Sequence, residues 1–117
     1  MNDERDPGAT NRHVTVAQAA GLPIPAGNLA APVLRHGSLE VEYYAPRGAD
    51  RQKPHTRDEV YVVISGQGTV LNGEERHPFG PGDVIFVPAG VVHRFEDFSD
   101  DFATWVLFYG PEGGETP

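Results

Sequence analysis

The chain has no cysteine, which excludes disulfides and thiolate metal sites at once. Its apolar stretches are all far shorter than the about 20 residues that cross a bilayer as a helix. Positive charge is scarce: nine Lys and Arg stand against 17 Asp and Glu, for a net charge of −8. No basic cluster offsets that balance, so a nucleic-acid footprint is not expected. The opening residues MNDERDPGATNRH lack the apolar core of a signal peptide, and residues 1–13 read as a disordered tail. These absences leave a cytoplasmic protein as the default.

What is present points to strands. A length of 117 residues suits one domain with a single core. Apolar residues make up 38% and charged residues 22%, a globular composition. The 14 Gly and 11 Pro fall mostly between short apolar runs, the pattern of many turns and short strands. One short helical turn is expected around Thr15 to Ala20, stopped by Gly21, Pro23 and Pro25.

From Val33 onward the period becomes two, as in LEVEYYA, where Leu39, Val41 and Tyr43 alternate with Glu40, Glu42 and Tyr44. EVYVVIS is rich in β-branched and aromatic residues, and Asn72-Gly73 is a hairpin signal with both residues at positive φ. Counted through FATWVLFYG there are about eight strands, without βαβ alternation or an internal repeat. The fold class expected is all-β. Residues 111–117, GETP at their end, read as a flexible tail.

Two stretches carry chemistry. In KPHTRDEVYVVISGQG, His55 is followed after three residues by Glu59 and after six more by Gly66. In GDVIFVPAGVVHRFED, Gly82 is followed by Pro88, Gly90, His93 and Asp97. On residue type alone, His55 after Pro54 reads equally as a loop histidine, and Glu59 as a solvated strand end. Yet if residues 59–65 alternate, Glu59 shares a face with Tyr61 and Val63, and both faces of that strand are apolar. A carboxylate heading such a strand belongs in a cavity more than in bulk water. His36 and His77 read as surface residues and the acidic run EDFSDDF as a solvated loop, without the spacing of a calcium loop. Tyr43, Tyr44, Phe86, Phe95 and Trp105 read as core, with Phe95 sharing the inward face of His93.

The pair of stretches resembles the two motifs of the cupin superfamily, over roughly residues 33–110. The second motif, Gly-x5-Pro-x-Gly-x2-His, matches at each defined position, with Asp97 where the family usually has Asn. The resemblance implies a small double-stranded β-helix, a jelly-roll barrel, over residues 14–110. It implies one divalent metal ion (Fe, Zn, Ni or Mn) held by His55, Glu59 and His93. The family's first motif His falls at Lys53, whose ammonium has no lone pair to give. Water, or the amide oxygen of Gln52, could fill that place, but a one-residue shift along a strand turns a side chain to the other face.

Two His and one carboxylate is the donor set of non-haem iron oxygenases. The resemblance therefore implies a metal-dependent enzyme, dioxygenase-like or an isomerase or lyase, acting on a small organic molecule in the barrel. A non-catalytic metal- or small-molecule-binding module is the alternative. Tyr61, Tyr44, Arg35 and Lys53 are candidates for acid, base or substrate contacts, and Lys53 could orient an anion such as a carboxylate. A homodimer is expected, because cupins commonly pair through their sheets and strand edges need cover. The apolar segment 14–32 is the part expected to lie across a partner.

Overall fold

In a computed structural model of the protein, which describes residues 12–117, eight strands form two sheets facing one another. The expected tail at 1–13 lies almost wholly outside the described residues. After a short helix, α1 (Val16–Ala20), come β1 (Ala31–His36), β2 (Leu39–Tyr44), β3 (Asp58–Ser65) and β4 (Gly68–Asn72). They are followed by β5 (Glu75–Phe79), β6 (Val84–Val87), β7 (His93–Glu96) and β8 (Ala103–Tyr109). One sheet has the order β1-β2-β8-β3-β6 and the other β5-β4-β7, with antiparallel pairing throughout. This is the expected all-β double-sheet architecture.

Local chemistry explains the elements. Thr15 caps α1 with a reciprocal pair: its hydroxyl accepts from Gln18 N–H at 3.1 Å, and Gln18 Oε1 accepts from Thr15 N–H at 2.9 Å. Strand β1 begins at Ala31, earlier than the Val33 expected, with Pro32 accommodated because β1 is an edge strand and its register shifts beside that residue. The β4–β5 hairpin turns one residue later than expected. Asn72 pairs with Glu75, so the central residues are Gly73 (φ 65°) and Glu74, a turn with glycine only at its first position. Asn72 is thereby freed to donate its amide to the Phe86 carbonyl at 2.8 Å, linking the two sheets.

The core lies between the sheets. Tyr61, Val63, Val87 and Val106 from one sheet meet Val70, Phe79 and Phe95 from the other, with Phe102 wedged among them. Phe95 stacks at 4.6 to 5.3 Å from Phe102, Tyr61 and Phe79. The alternation expected of β3 is observed: Glu59, Tyr61 and Val63 are buried while Val60, Val62 and Ile64 are partly exposed.

Three aromatics expected in the core sit elsewhere. Phe86 is 49% exposed, because the pleat of β6 turns Ile85 and Val87 inward. Tyr43 and Trp105, paired across β2 and β8, pack edge-to-face and are only partly buried. The loop 96–102 is not wholly solvated, since Phe102 is fully buried and a β-carbon on Gly66 would stand 2.5 Å from its Cα. Residues 113–115 are tied back, Gly113 N–H to the Thr56 carbonyl at 2.7 Å and Glu115 N–H to Asp58 at 2.8 Å. No helix among the described residues is long and apolar enough to cross a membrane.

Candidate metal centre

Strand β3 enters the core with Glu59 as its second residue, so its inward pleat aims a carboxylate between the sheets. Opposite it, β7 begins at His93, which with Phe95 faces the same interior. His55 comes from the irregular loop before β3 and is half-buried.

The turn at Pro88-Ala89-Gly90 is what sets β7 over β3. Gly90, at φ 79°, donates its N–H to the His55 carbonyl at 2.7 Å, and Ala89 N–H donates to Asp58 at 3.0 Å. The second motif is thus fastened to the first at two points, the His55 carbonyl and the Asp58 side chain. Asp97 closes the motif at φ 51°, the one non-glycine with positive φ among the described residues. Asn and Asp tolerate that region better than other side chains, which accounts for Asp at a position where the family uses Asn.

His93 Nε2 lies 3.1 Å from Glu59 Oε1, and His55 Nε2 lies 3.8 Å from Glu59 Oε2. One donor atom from each of the three residues falls within 4.8 Å of the others. Both carboxylate oxygens and His93 Nε2 are buried without a directed hydrogen bond. Such orphaned acceptors are costly unless a cation satisfies them.

His93 Nδ1 faces the Val91 carbonyl at 2.9 Å, so Nδ1 carries a proton and Nε2 is the ring nitrogen turned to Glu59. Burial lowers the pKa of His55, with the Glu59 charge opposing it. Burial also acts to lower that of His93, but Glu59 and the Val91 carbonyl outweigh it and the net shift is upward. The three residues fit a divalent cation, offering two imidazole nitrogens, once His93 has given up any proton on Nε2, and a carboxylate. His55, Glu59 and His93, the set that the resemblance implies, are therefore brought together.

The other candidates are placed differently. His36 and His77 are exposed on the surface. Lys53 is also exposed, its position on the rim of a cleft of about 540 Å³ that opens over His55. Arg35 is exposed on β1 and does not line that cleft. Tyr44 and Tyr61 are buried with their hydroxyls committed, to Asp50 at 2.5 Å and to Gln52 at 2.8 Å. Burial raises the pKa of both, so both stay protonated donors.

Three residues were not singled out from sequence or were set aside. Asp50 accepts from Tyr44, from the Gln52 backbone and side chain, and from Phe95 N–H on β7. The bond from Gln52 N–H closes the two-residue side-chain turn that Asp favours in loops, a signal present in the sequence. Gln52 turns its amide oxygen to within 3.3 Å of His55 Nε2. Segment 51–55 pairs with no strand, so the two-residue period does not govern it. Glu42 lines the same cleft, and burial, then the charges of Glu40 and Glu59, raise its pKa.

Comparison with known proteins agrees with this fold. An uncharacterized protein of Streptomyces coelicolor is 42% identical over 81 residues, covering 68% of this chain and 77% of that protein. A glucose-6-phosphate isomerase of Thermococcus kodakarensis is 33% identical over 92 residues. That match covers 74% of this chain but only 48% of the isomerase. Among solved structures, a cupin 2 conserved barrel domain protein from Salinispora arenicola superposes with a TM-score of 0.63 at 19% identity, over 84% of this chain and 88% of that one. A double-stranded β-helix protein from Klebsiella pneumoniae gives 0.64 at 21% identity, over 84% and 89%. The family model for the cupin domain matches residues 40–109, from the second residue of β2 to the last of β8, and the chain belongs to the cupin domain family.

Proposed function

We propose that this protein is a metal-dependent enzyme acting on a small, oxygen-rich anion in the cleft above His55, Glu59 and His93, by proton transfer of the isomerase type. The observation that carries the reading is the fully buried Glu59 carboxylate, faced by two imidazoles and, among the described residues, by no Lys or Arg. A divalent ion there, Fe, Zn, Ni or Mn, supplies Lewis-acid polarisation of a substrate oxygen.

The chain's own groups supply the rest. Arg51 and Lys53 line the cleft and bring positive charge to its rim, which suits a phosphate or carboxylate group. Glu42, a carboxyl in the same cleft, takes a proton from a carbon bearing a hydroxyl and returns it to the neighbouring carbonyl carbon, while the hydroxyl proton passes to the carbonyl oxygen, so that carbonyl and hydroxyl exchange places. Its raised pKa brings it closer to the working range of such a group. The matched glucose-6-phosphate isomerases support this class of chemistry, although the chain spans about half their length.

The two-His, one-carboxylate set favours a second reading, dioxygen chemistry. Metal-loaded protein incubated with sugar phosphates and hydroxy acids in deuterated water separates the two by NMR, with an oxygen electrode run in parallel on the same substrates and on diketones. Deuterium incorporation or aldose–ketose conversion, lost in Glu59→Ala, is expected. Metal-dependent oxygen uptake without exchange would establish the oxygenase instead. Silence in both, with metal bound, would make the protein a non-catalytic binding module.

We also propose a homodimer with the N-terminal segment across the partner. Val16, Leu22, Ile24 and Leu29 are 36% to 56% exposed there, more apolar surface than a lone segment needs to leave open.

A further inference from the structure

We infer that the amide oxygen of Gln52 is a fourth protein donor to the metal, in place of the imidazole that Lys53 cannot supply, and that Asp50 is the positioning residue that turns this oxygen inward. This rests on the reading that His55, Glu59 and His93 hold a divalent cation.

The orientation of the amide follows from its partners. A glutamine head must give its NH₂ to an acceptor, and Gln52 Nε2 donates to Asp50 Oδ2 at 3.0 Å. The oxygen is then forced to the opposite side, where it accepts from the Tyr61 hydroxyl at 2.8 Å and faces His55 Nε2 at 3.3 Å. Asp50 cannot swing away to release it. Its carboxylate also accepts from Phe95 N–H at 2.8 Å, Gln52 N–H at 3.1 Å and Tyr44 at 2.5 Å.

An amide oxygen has two lone-pair directions, and Tyr61 uses one. When the His55 Nε2 lone pair serves a cation, two acceptors stand 3.3 Å apart, which is repulsive unless a positive charge lies beside both. Gln52 then completes a set of two nitrogens and two oxygens. That set is harder than three imidazoles and a carboxylate, so it shifts preference toward Mn²⁺ and Fe²⁺ and away from Zn²⁺.

The test uses the full chain and two probes, Mn²⁺ affinity by calorimetry and the visible absorption of bound Co²⁺, which reports coordination number and donor type. Gln52→Leu should weaken Mn²⁺ binding by about tenfold or more and change the Co²⁺ spectrum, since a donor is lost. Gln52→His should retain binding and move preference toward Zn²⁺. Asp50→Ala should weaken Mn²⁺ binding by about 10- to 100-fold, as loss of a positioning partner does. The double variant Asp50→Ala/Gln52→Leu should then be no weaker than the weaker single variant, because both act through one oxygen. Gln52→Leu with unchanged affinity and an unchanged Co²⁺ spectrum would overturn the inference while leaving the three-residue site standing. Wild-type protein that takes up neither Mn²⁺ nor Co²⁺ would overturn both.

Discussion

His93 Nε2 and Glu59 Oε1 stand 3.1 Å apart with each side chain only 1% exposed, and among the described residues neither atom has a hydrogen-bond partner beyond the other. Burying an ion costs several kcal/mol after relaxation, against a total stability of about 5–15 kcal/mol for a domain. In metal-free protein this pair is therefore expected to be a local instability. Glu59→Gln removes the charge and offers an N–H to His93. It should raise the melting temperature of metal-free protein and abolish the further rise that Mn²⁺ gives the wild type. Thermal melts of both proteins with and without metal decide it, and a lower Tm for metal-free Glu59→Gln would contradict it.

Single alanine changes at His55, Glu59 and His93 should each strip most of the bound metal from protein purified without chelator. His36→Ala and His77→Ala, both on exposed side chains, should leave it intact. Elemental analysis reads this directly. Equal loss in His36→Ala and His93→Ala would refute the assigned centre.

Two glycines with the same backbone angle should differ in what they tolerate. Gly66 and Gly82 both sit at φ 86°, but a β-carbon on Gly66 meets Phe102 Cα at 2.5 Å while one on Gly82 meets nothing within 4 Å. Gly82→Ala should cost about 1–2 kcal/mol for the left-handed backbone alone. Gly66→Ala should cost about 1–3 kcal/mol more from overpacking. Urea unfolding midpoints measure both, and equal losses would show that the close approach is relieved at no cost.

Asp58 is set to make stability depend on acid. Backbone N–H donors from Glu115 and Ala89 hold its pKa below the ordinary value of 3.8. Its contribution is complete above the unfolded pKa and disappears as pH falls through the lowered folded value. Asp58→Asn should therefore be less stable than wild type at pH 7 and lose less on acidification from about pH 5 to pH 3. Denaturant titrations across that range, with parallel pH slopes for the two proteins, would dismiss the assignment.

Light scattering should give twice the 12.7 kDa chain mass. Ile24→Asp, at 56% exposure, should halve it with the fold kept by circular dichroism. A wild-type monomer at high concentration would remove the dimer.

The strands and the three residues of the candidate centre were legible because both leave a periodic or spaced trace: alternation in residues 59–65, and the motif intervals from His55 to Glu59 and from Gly82 to His93. Gln52 and Asp50 leave none. Their roles depend on a loop without a period and on bonds spanning far along the chain, such as Asp50 to Phe95. Phe86 misled for a related reason. Its aromatic character suggested the core, while the pleat set by Val87 decided its face.

Glu59 leaves from β3 and His93 from β7, strands that belong to different sheets. The donor set therefore exists only while the two sheets remain stacked, and an ion held there would be released when they part. With the approach past His55 closed, the lifetime of such an ion would become a clock for sheet separation. Its off-rate should then track hydrogen exchange at β7 amides as denaturant is raised.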